Sequence, residues 1–311
     1  MNIIRDEYTF KSATQITDIY VRSWCPENTE IKAVLQIAHG MAEYGERYAE
    51  LASYLCEAGY AVIINDHAGH GRSVSSKDDL GYFNGDKNKA GKAFVEDVHK
   101  VTNIAKEKFG KPVILMGHSM GSFVARHYVT KYADDIIGAI FCGTCGPNPA
   151  AGAGIIVANL IEKIKGPRYK SEFINGLAFG TYNKRFEGRT TFDWLSVNKE
   201  NIDRYIADDL CGFLFTVSGY KNLFELLQFV SVPDWFNSVS STLPMYLIAG
   251  SEDPVGSYGK GVQTVYDKLI ETGHKNVDIK LYKGLRHEIH NEDERFNVYA
   301  DIIRWCDSLV K

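Results

Sequence analysis

The sequence predicts an α/β fold: a mostly parallel central sheet flanked by helices, with an all-helical segment inserted into it. Three observations carry this. Short continuous apolar runs such as AVLQIA (33–38), YAVIIND (60–66) and VILM (113–116) are bounded by turn residues, as strands buried on both faces are. Between them lie stretches whose apolar residues recur at helical spacing, so that strand and helix alternate. The alternation lapses over residues 146–238, where helical patterns follow one another without a convincing strand, and then resumes.

Residues 1–30 mix β-favouring Tyr, Thr, Ile and Val with turn residues and read as an antiparallel start. AVLQIA leads to a helix using Tyr48, Leu51, Ala52 and Leu55 and stopped by Gly59. YAVIIND leads to one using Phe94, Val98, Val101, Ala105 and Phe109 and stopped by Gly110. VILM runs into GHSMGS, after which Phe123, Val124, His127 and Tyr128 return to helical spacing. IIGAIFCG (136–143) is the last strand before the insertion. LPMYLIAG (243–250), a helix from about Gly259, the strand VDIKLY (277–282) and a helix ending in IIRWCDSLV complete the sheet. The expected organisation is a core in two parts, 1–145 and 239–311, around an insertion at 146–238.

Composition excludes several classes. A chain of 311 residues with 45% hydrophobic and 24% charged content can bury a large core. A formal charge of −4 with no basic run offers no footprint for nucleic acid, and no such partner is expected. The start MNIIRDEYTF reaches Arg5, Asp6 and Glu7 before any stretch apolar enough for a signal sequence, and no run approaches the ~18 apolar residues of a membrane span, so a cytoplasmic protein is expected. The six cysteines are scattered, and Cys142 and Cys145 in FCGTCGP lack the context of a redox or zinc motif; they read as buried thiols at a strand end. His67 and His70, three apart in the glycine turn DHAGHG, read as turn-stabilising residues rather than a metal pair. GAG at 152–154 lacks the third glycine and preceding strand of a dinucleotide fingerprint, and no phosphate loop occurs. No cofactor and no metal are expected.

The chemistry begins at Ser119, held between Gly117 and Gly121 at a strand-to-helix joint. G-x-S-x-G in that context is a nucleophile elbow, where small residues let strand and helix approach and the hydroxyl is lifted clear of the fold. A serine hydroxyl needs a base, and the base an acid to hold its tautomer. MYLIAG runs into SEDPVG, placing Asp253 beyond the C-terminal edge of a strand, and VDIKLY runs into KGLRHEIHNE, placing His287 at the corresponding point. Glu252 and His290 are the rivals. Asp253 is preferred because Pro254 suits a sharp turn, and His287 because it lies nearer its strand. The oxyanion donors expected are the backbone N–H groups of Met120, which follows the serine, and of Met41, in the loop IAHGMAEYGERY after the first parallel strand.

With HGMAEYGERY, DHAGHGRS (66–73), GHSMGS, SEDPVG and GLRHEIHNE in this order, the chain resembles the α/β-hydrolase fold, and within it the monoacylglycerol lipase and lysophospholipase-like group of serine hydrolases. TFDWLSVN and RYIADDLCGF resemble cap segments of bacterial members. The resemblance covers nearly the whole chain. It implies a helical cap over the sheet edge, Ser119, Asp253 and His287 as triad, and the amides of Met41 and Met120 as oxyanion hole. One departure is Asp208-Asp209-Leu210, where relatives tend to have proline after the first aspartate, so the cap loop there differs.

The insertion is rich in large apolar groups, in IIVANLI (155–161), FLFTV (213–217) and LFELLQFV (223–230), more than a small cap buries internally. Some are expected to line a pocket above Ser119, which favours substrates with an acyl chain. GIIVANLIEKIKG reads either as a surface that touches membranes transiently or as a plain amphipathic helix with solvated lysines. The function expected is a serine hydrolase of single-chain acyl esters. The alternatives are an aminopeptidase, for which Asp208, Asp209 or Glu162 would hold the substrate ammonium, and a slow or non-catalytic binder on the same fold. Oligomeric state is not legible in the sequence.

Overall fold

In a computed structural model, which describes residues 2–83 and 90–310, the chain opens with a hairpin of β1 (Ile3–Lys11) and β2 (Asp18–Pro26). It then alternates through β3 (Val34–Ala38), α1 (Ala49–Glu57), β4 (Ala61–Asn65), α2 (Ala90–Phe109), β5 (Val113–His118), α3 (Met120–Tyr128) and β6 (Gly138–Cys142). Five helices follow: α4 (Ala151–Lys165), α5 (Glu172–Phe179), α6 (Lys199–Ala207), α7 (Val217–Ser231) and α8 (Pro233–Ser238). Among the described residues, no strand of the sheet lies between β6 and β7 (Met245–Gly250), after which α9 (Lys260–Glu271), β8 (Val277–Tyr282) and α10 (Arg295–Leu309) close the chain.

The strands form one sheet in the order β1-β2-β4-β3-β5-β6-β7-β8. β2 is antiparallel to β1 and β4, and the remaining neighbours are parallel. Every residue of β3 to β7 is buried, as the unbroken apolar runs require of strands covered on both faces. Alternate residues feed two cores. Val113 and Leu115 of β5 join Phe94 and Val98 of α2 and Val124 of α3 on one face. Ile114 and Met116 join Leu51 and Leu55 of α1 and Ile302 of α10 on the other.

Parallel pairing sends the loops that matter to one edge. Ala38 lies opposite Gly117, His118 opposite Cys142, and Gly250 opposite Tyr282, so the chain leaves β3, β5, β6, β7 and β8 on the same side. The helices α4 to α8 grow from that side. Phe215, Tyr220, Leu226 and Val230 are buried in the core shared with α2 and α3, and Trp235 of α8 stands edge-on to Phe141 of β6 at 6.4 Å.

Candidate active site

Ser119 links β5 to α3 with φ 53° and ψ −121°, a conformation that residues with a side chain rarely adopt. Its amide donates to the Cys142 carbonyl at 3.0 Å and its carbonyl accepts from the Ser122 amide at 2.8 Å, so both neighbours hold the turn. The flanking glycines follow from contact distances. A Cβ on Gly117 would stand 2.2 Å from the Gly121 carbonyl oxygen, and one on Gly121 would stand 2.0 Å from the Ala38 carbonyl oxygen. No side chain fits at either place, which explains the G-x-S-x-G spacing.

His287 and Asp253, from the loops after β8 and β7, meet: the imidazole Nδ1 lies 2.9 Å from Asp253 Oδ2. Both are buried. A carboxylate only accepts, so Nδ1 is the donor in this pair, and Nε2 is the ring nitrogen left free of Asp253. The other oxygen, Oδ1, accepts from the Val255 amide at 2.8 Å, which fixes the plane of the carboxylate. Of the rivals, Glu252 is exposed. His290 is fully buried, stacked on Tyr48 with centroids 4.7 Å apart, and neither of its ring nitrogens finds a partner among the described residues.

Met41 and Met120 line the same cavity as Ser119 and His287. Met120 opens α3, so its N–H belongs to a first turn without intrahelical acceptors. The direction of the Met41 N–H is set by a histidine. His39 Nε2 accepts from the His67 amide at 2.8 Å, which leaves Nδ1 as the donor to the Gly40 carbonyl, also at 2.8 Å. In a trans peptide the N–H points opposite to the C=O, so turning the Gly40 carbonyl toward His39 turns the Met41 N–H away from it. Burial keeps His39 neutral, as the acceptor role of Nε2 requires.

Glu43, a residue to which sequence reasoning assigned no role, ties these loops together. Its carboxylate accepts from the Gly40 amide at 2.5 Å, the Tyr48 hydroxyl at 2.8 Å and His118 Nδ1 at 3.1 Å. Burial alone would raise its pKa, but His118 and Arg47 hold the carboxyl well below the usual range. Burial likewise opposes charge on His118, and Glu43 overrides it and raises the imidazole. Both nitrogens of His118 are then donors, the second reaching the His287 carbonyl at 3.3 Å. Glu288, next to His287, accepts from Arg47 at 2.5 Å and from Asn201 of α6 at 2.7 Å. Glu292 gathers the amides of Arg286, Val197 and Asn198 and the hydroxyl of Ser196, binding the His287 loop to the helical segment. Glu43 and Arg47 lie within HGMAEYGERY, but nothing local marks their roles, because His118 and Glu288, which they meet, come from distant segments.

His118, Cys142 and His290 place ligand-type atoms within 4.8 Å of one another. Both ring nitrogens of His118 are directed at oxygen acceptors, the Glu43 carboxylate and the His287 carbonyl, an arrangement that suits a hydrogen-bonded imidazole rather than a metal ligand. His67 and His70 are kept neutral by burial, and they pack on Phe94 and among Phe83, Phe213 and Phe215. Cys142 and Cys145 are buried free thiols, both raised by burial.

Over Ser119 stands a cavity of about 1040 Å³ whose walls include Phe123, Val157, Phe179, Leu223, Phe224 and Leu227. Trp194 of the helical segment approaches His287, with ring centroids 5.1 Å apart. The carboxylates on the wall are Glu43 and Glu288, both already bonded. Asp208 accepts from the Tyr44 hydroxyl, Asp209 pairs with Lys77 and Glu162 with Lys221, and none of the three lines the cavity.

Residues 29–294 match the Hydrolase_4 family, described as serine aminopeptidase, S33. The chain is 27% identical over 309 residues to the monoacylglycerol lipase of Mycolicibacterium smegmatis, covering 98% of each protein. It is 26% identical over 294 residues to human (Homo sapiens) monoglyceride lipase, covering 92% of this chain and 86% of that one. Among solved structures, a thermostable carboxyl esterase from Bacillus coagulans in complex with glycerol superposes with a TM-score of 0.91 at 30% identity, covering 99% of both chains.

Proposed function

The chain belongs to the serine aminopeptidase S33 family and is a carboxylic ester hydrolase of lipase type; we propose that it cleaves single-chain acyl esters, of the monoacylglycerol or lysophospholipid kind, through an acyl-enzyme on Ser119. The observation that carries this reading is the convergence of the Ser119 elbow and the His287–Asp253 pair on one apolar-walled cavity.

Ser119 Oγ attacks the ester carbonyl carbon while His287 Nε2 takes its proton. Asp253 holds the imidazole in the required tautomer and stabilises the imidazolium. The carbonyl oxygen, now an anion, is met by the N–H groups of Met41 and Met120. Collapse of the tetrahedral intermediate breaks the bond to the alcohol oxygen, which takes the proton from His287. A water molecule then repeats the sequence on the acyl-enzyme and releases the fatty acid.

The apolar wall and the likeness to lipases support an acyl-chain substrate. The bonded state of Glu43 and Glu288 weighs against a substrate carrying an ammonium at the reacting end. We assign the helical segment 146–238 as the cap. Ile156, Leu160 and Ile164 of α4 and Phe173 and Leu177 of α5 are exposed by more than half, which supports transient contact of this face with membrane lipid. No helix among the described residues is long and apolar enough to cross a membrane.

The test is a pair of measurements. Ser119→Ala is expected to lower kcat by about 10³-fold or more, and a fluorophosphonate is expected to label Ser119 alone. Alongside, kcat/KM is measured for monoacylglycerols and for an aminoacyl anilide. A Ser119→Ala variant keeping a tenth of the wild-type rate removes the nucleophile assignment, and preference for the anilide removes the ester reading.

A further inference from the structure

Arg126, in the last turn of α3, is fully buried, yet among the described residues no carboxylate pairs with it. Burial pushes its pKa down to about 10, so it is charged at neutral pH. A desolvated guanidinium is expensive unless its donors are well used. Here the two terminal nitrogens go to main chain, while Nε finds no partner among the described residues. One terminal nitrogen donates to the Cys145 carbonyl at 3.0 Å and lies 3.5 Å from the Thr144 hydroxyl; the other donates to the Val230 carbonyl at 2.7 Å. The planar group lies 4.1 Å over the Trp235 ring, and the indole N–H returns a 2.7 Å hydrogen bond to the Arg126 carbonyl.

The partners are not arbitrary points. Cys145 lies where the chain leaves β6 for α4, Val230 is in the last turn of α7, and Trp235 is in the helix that returns toward β7. One side chain therefore holds both roots of the helical segment. The Val230 carbonyl is one of the last four of its helix, without an intrahelical partner and at the negative end of the dipole, where a cation is favoured. The helices rooted here, α4 and α7, supply Gly154, Val157, Leu223, Phe224 and Leu227 to the cavity wall. At the other end of α3 stands Ser119.

Resting on the ester-hydrolase reading, we infer that Arg126 is a positioning residue that sets α4 and α7 at a fixed height over Ser119 and thereby determines how well a long acyl chain is gripped. It touches neither the reacting atoms nor the residues assigned to chemistry. Its loss acts on the distal chain and leaves a short ester indifferent.

The experiment compares kcat/KM for palmitoyl and acetyl esters of one alcohol in wild type, Arg126→Met and Arg126→Lys. With two charge-assisted hydrogen bonds removed, Arg126→Met is expected to lower the palmitoyl-to-acetyl ratio by about 10-fold or more, with the acetyl rate within about twofold of wild type. Arg126→Lys is expected to fall between, because an ammonium cannot span both carbonyls with the geometry of a guanidinium. Should Arg126→Met not fold, Trp235→Phe carries the test: it removes the indole hydrogen bond and part of the ring under the guanidinium, and a ratio lowered about threefold or more is expected. An unchanged ratio, or a parallel fall for both esters, would overturn the inference and leave Arg126 a part of the fold only. A wild type inert toward both esters overturns the ester reading itself, and this inference with it.

Discussion

Ser119 occupies a backbone conformation better suited to glycine, at φ 53° and ψ −121°. Such positions hold roughly 1–3 kcal/mol of strain. Ser119→Gly removes the strain together with the nucleophile, so its thermal midpoint is expected to exceed that of Ser119→Ala by a few degrees while both variants lose about 10³-fold or more in kcat. Equal midpoints would show that the elbow stores no strain. A second residue links pH to stability. Asp97 of α2 accepts from the Ser12 hydroxyl and the Ala13 amide, both at 2.7 Å, and burial pushes its carboxyl up to about 6 from an ordinary 3.8. The folded state thus binds this proton more tightly than the unfolded chain. Stability from this group is complete below the ordinary value and is lost as pH rises through about 6, an effect of roughly 3 kcal/mol. Asp97→Asn removes the titration, and its thermal midpoint is expected to gain on wild type between about pH 4 and pH 7. A constant difference across that range would assign the proton elsewhere.

The helix α4 has two faces with different tasks. Inward, Gly154 admits Phe224 of α7: an added Cβ would stand 2.8 Å from the Phe224 ring. Phe224 lines the cavity, so Gly154→Ala displaces the ring into it, and kcat/KM for a palmitoyl ester is expected to fall about 10-fold relative to a butyryl ester. A ratio that does not move would mean that the two helices part instead. Outward, Ile156, Leu160 and Ile164 are 63%, 56% and 78% exposed. Replacing all three by serine removes apolar area at about 25 cal/mol per Å² and is expected to weaken binding to phosphatidylcholine vesicles by about 10-fold or more, with hydrolysis of a water-soluble ester unchanged. Sedimentation with vesicles reads this directly, and equal partitioning of variant and wild type would confine the face to solvent.

At the scale of the molecule, the cavity joins the sheet edge that carries Ser119 and His287 to helices that supply Val157, Phe179, Leu223, Phe224 and Leu227. Each methylene taken from water contributes roughly 0.8 kcal/mol, so kcat/KM is expected to rise about fourfold per carbon from acetyl upward until the cavity is full. The series is measured below the micelle threshold. A profile that peaks at acetyl would make the apolar groups of these helices packing alone.

The parallel sheet, its order of motifs and the elbow at Ser119 were legible in the sequence because each is written locally: unbroken apolar runs for strands buried on both faces, helical spacing between them, and two glycines around a serine. The loops bearing Asp253 and His287 could be placed because parallel strands send their C-terminal ends to one edge. Which of His287 and His290 meets Asp253 was decided by tertiary structure, since only the packing of His290 against Tyr48 and His118 takes it out of reach. The same holds for the apolar surplus of the insertion. Phe215, Tyr220 and Val230 went to the core, Val157, Phe224 and Leu227 to the cavity, and Ile156 and Ile164 to the surface. Glu43, Arg126 and Glu292 carried no legible role, because a buried charge is defined by partners that are distant in the chain, and composition and periodicity describe only neighbours.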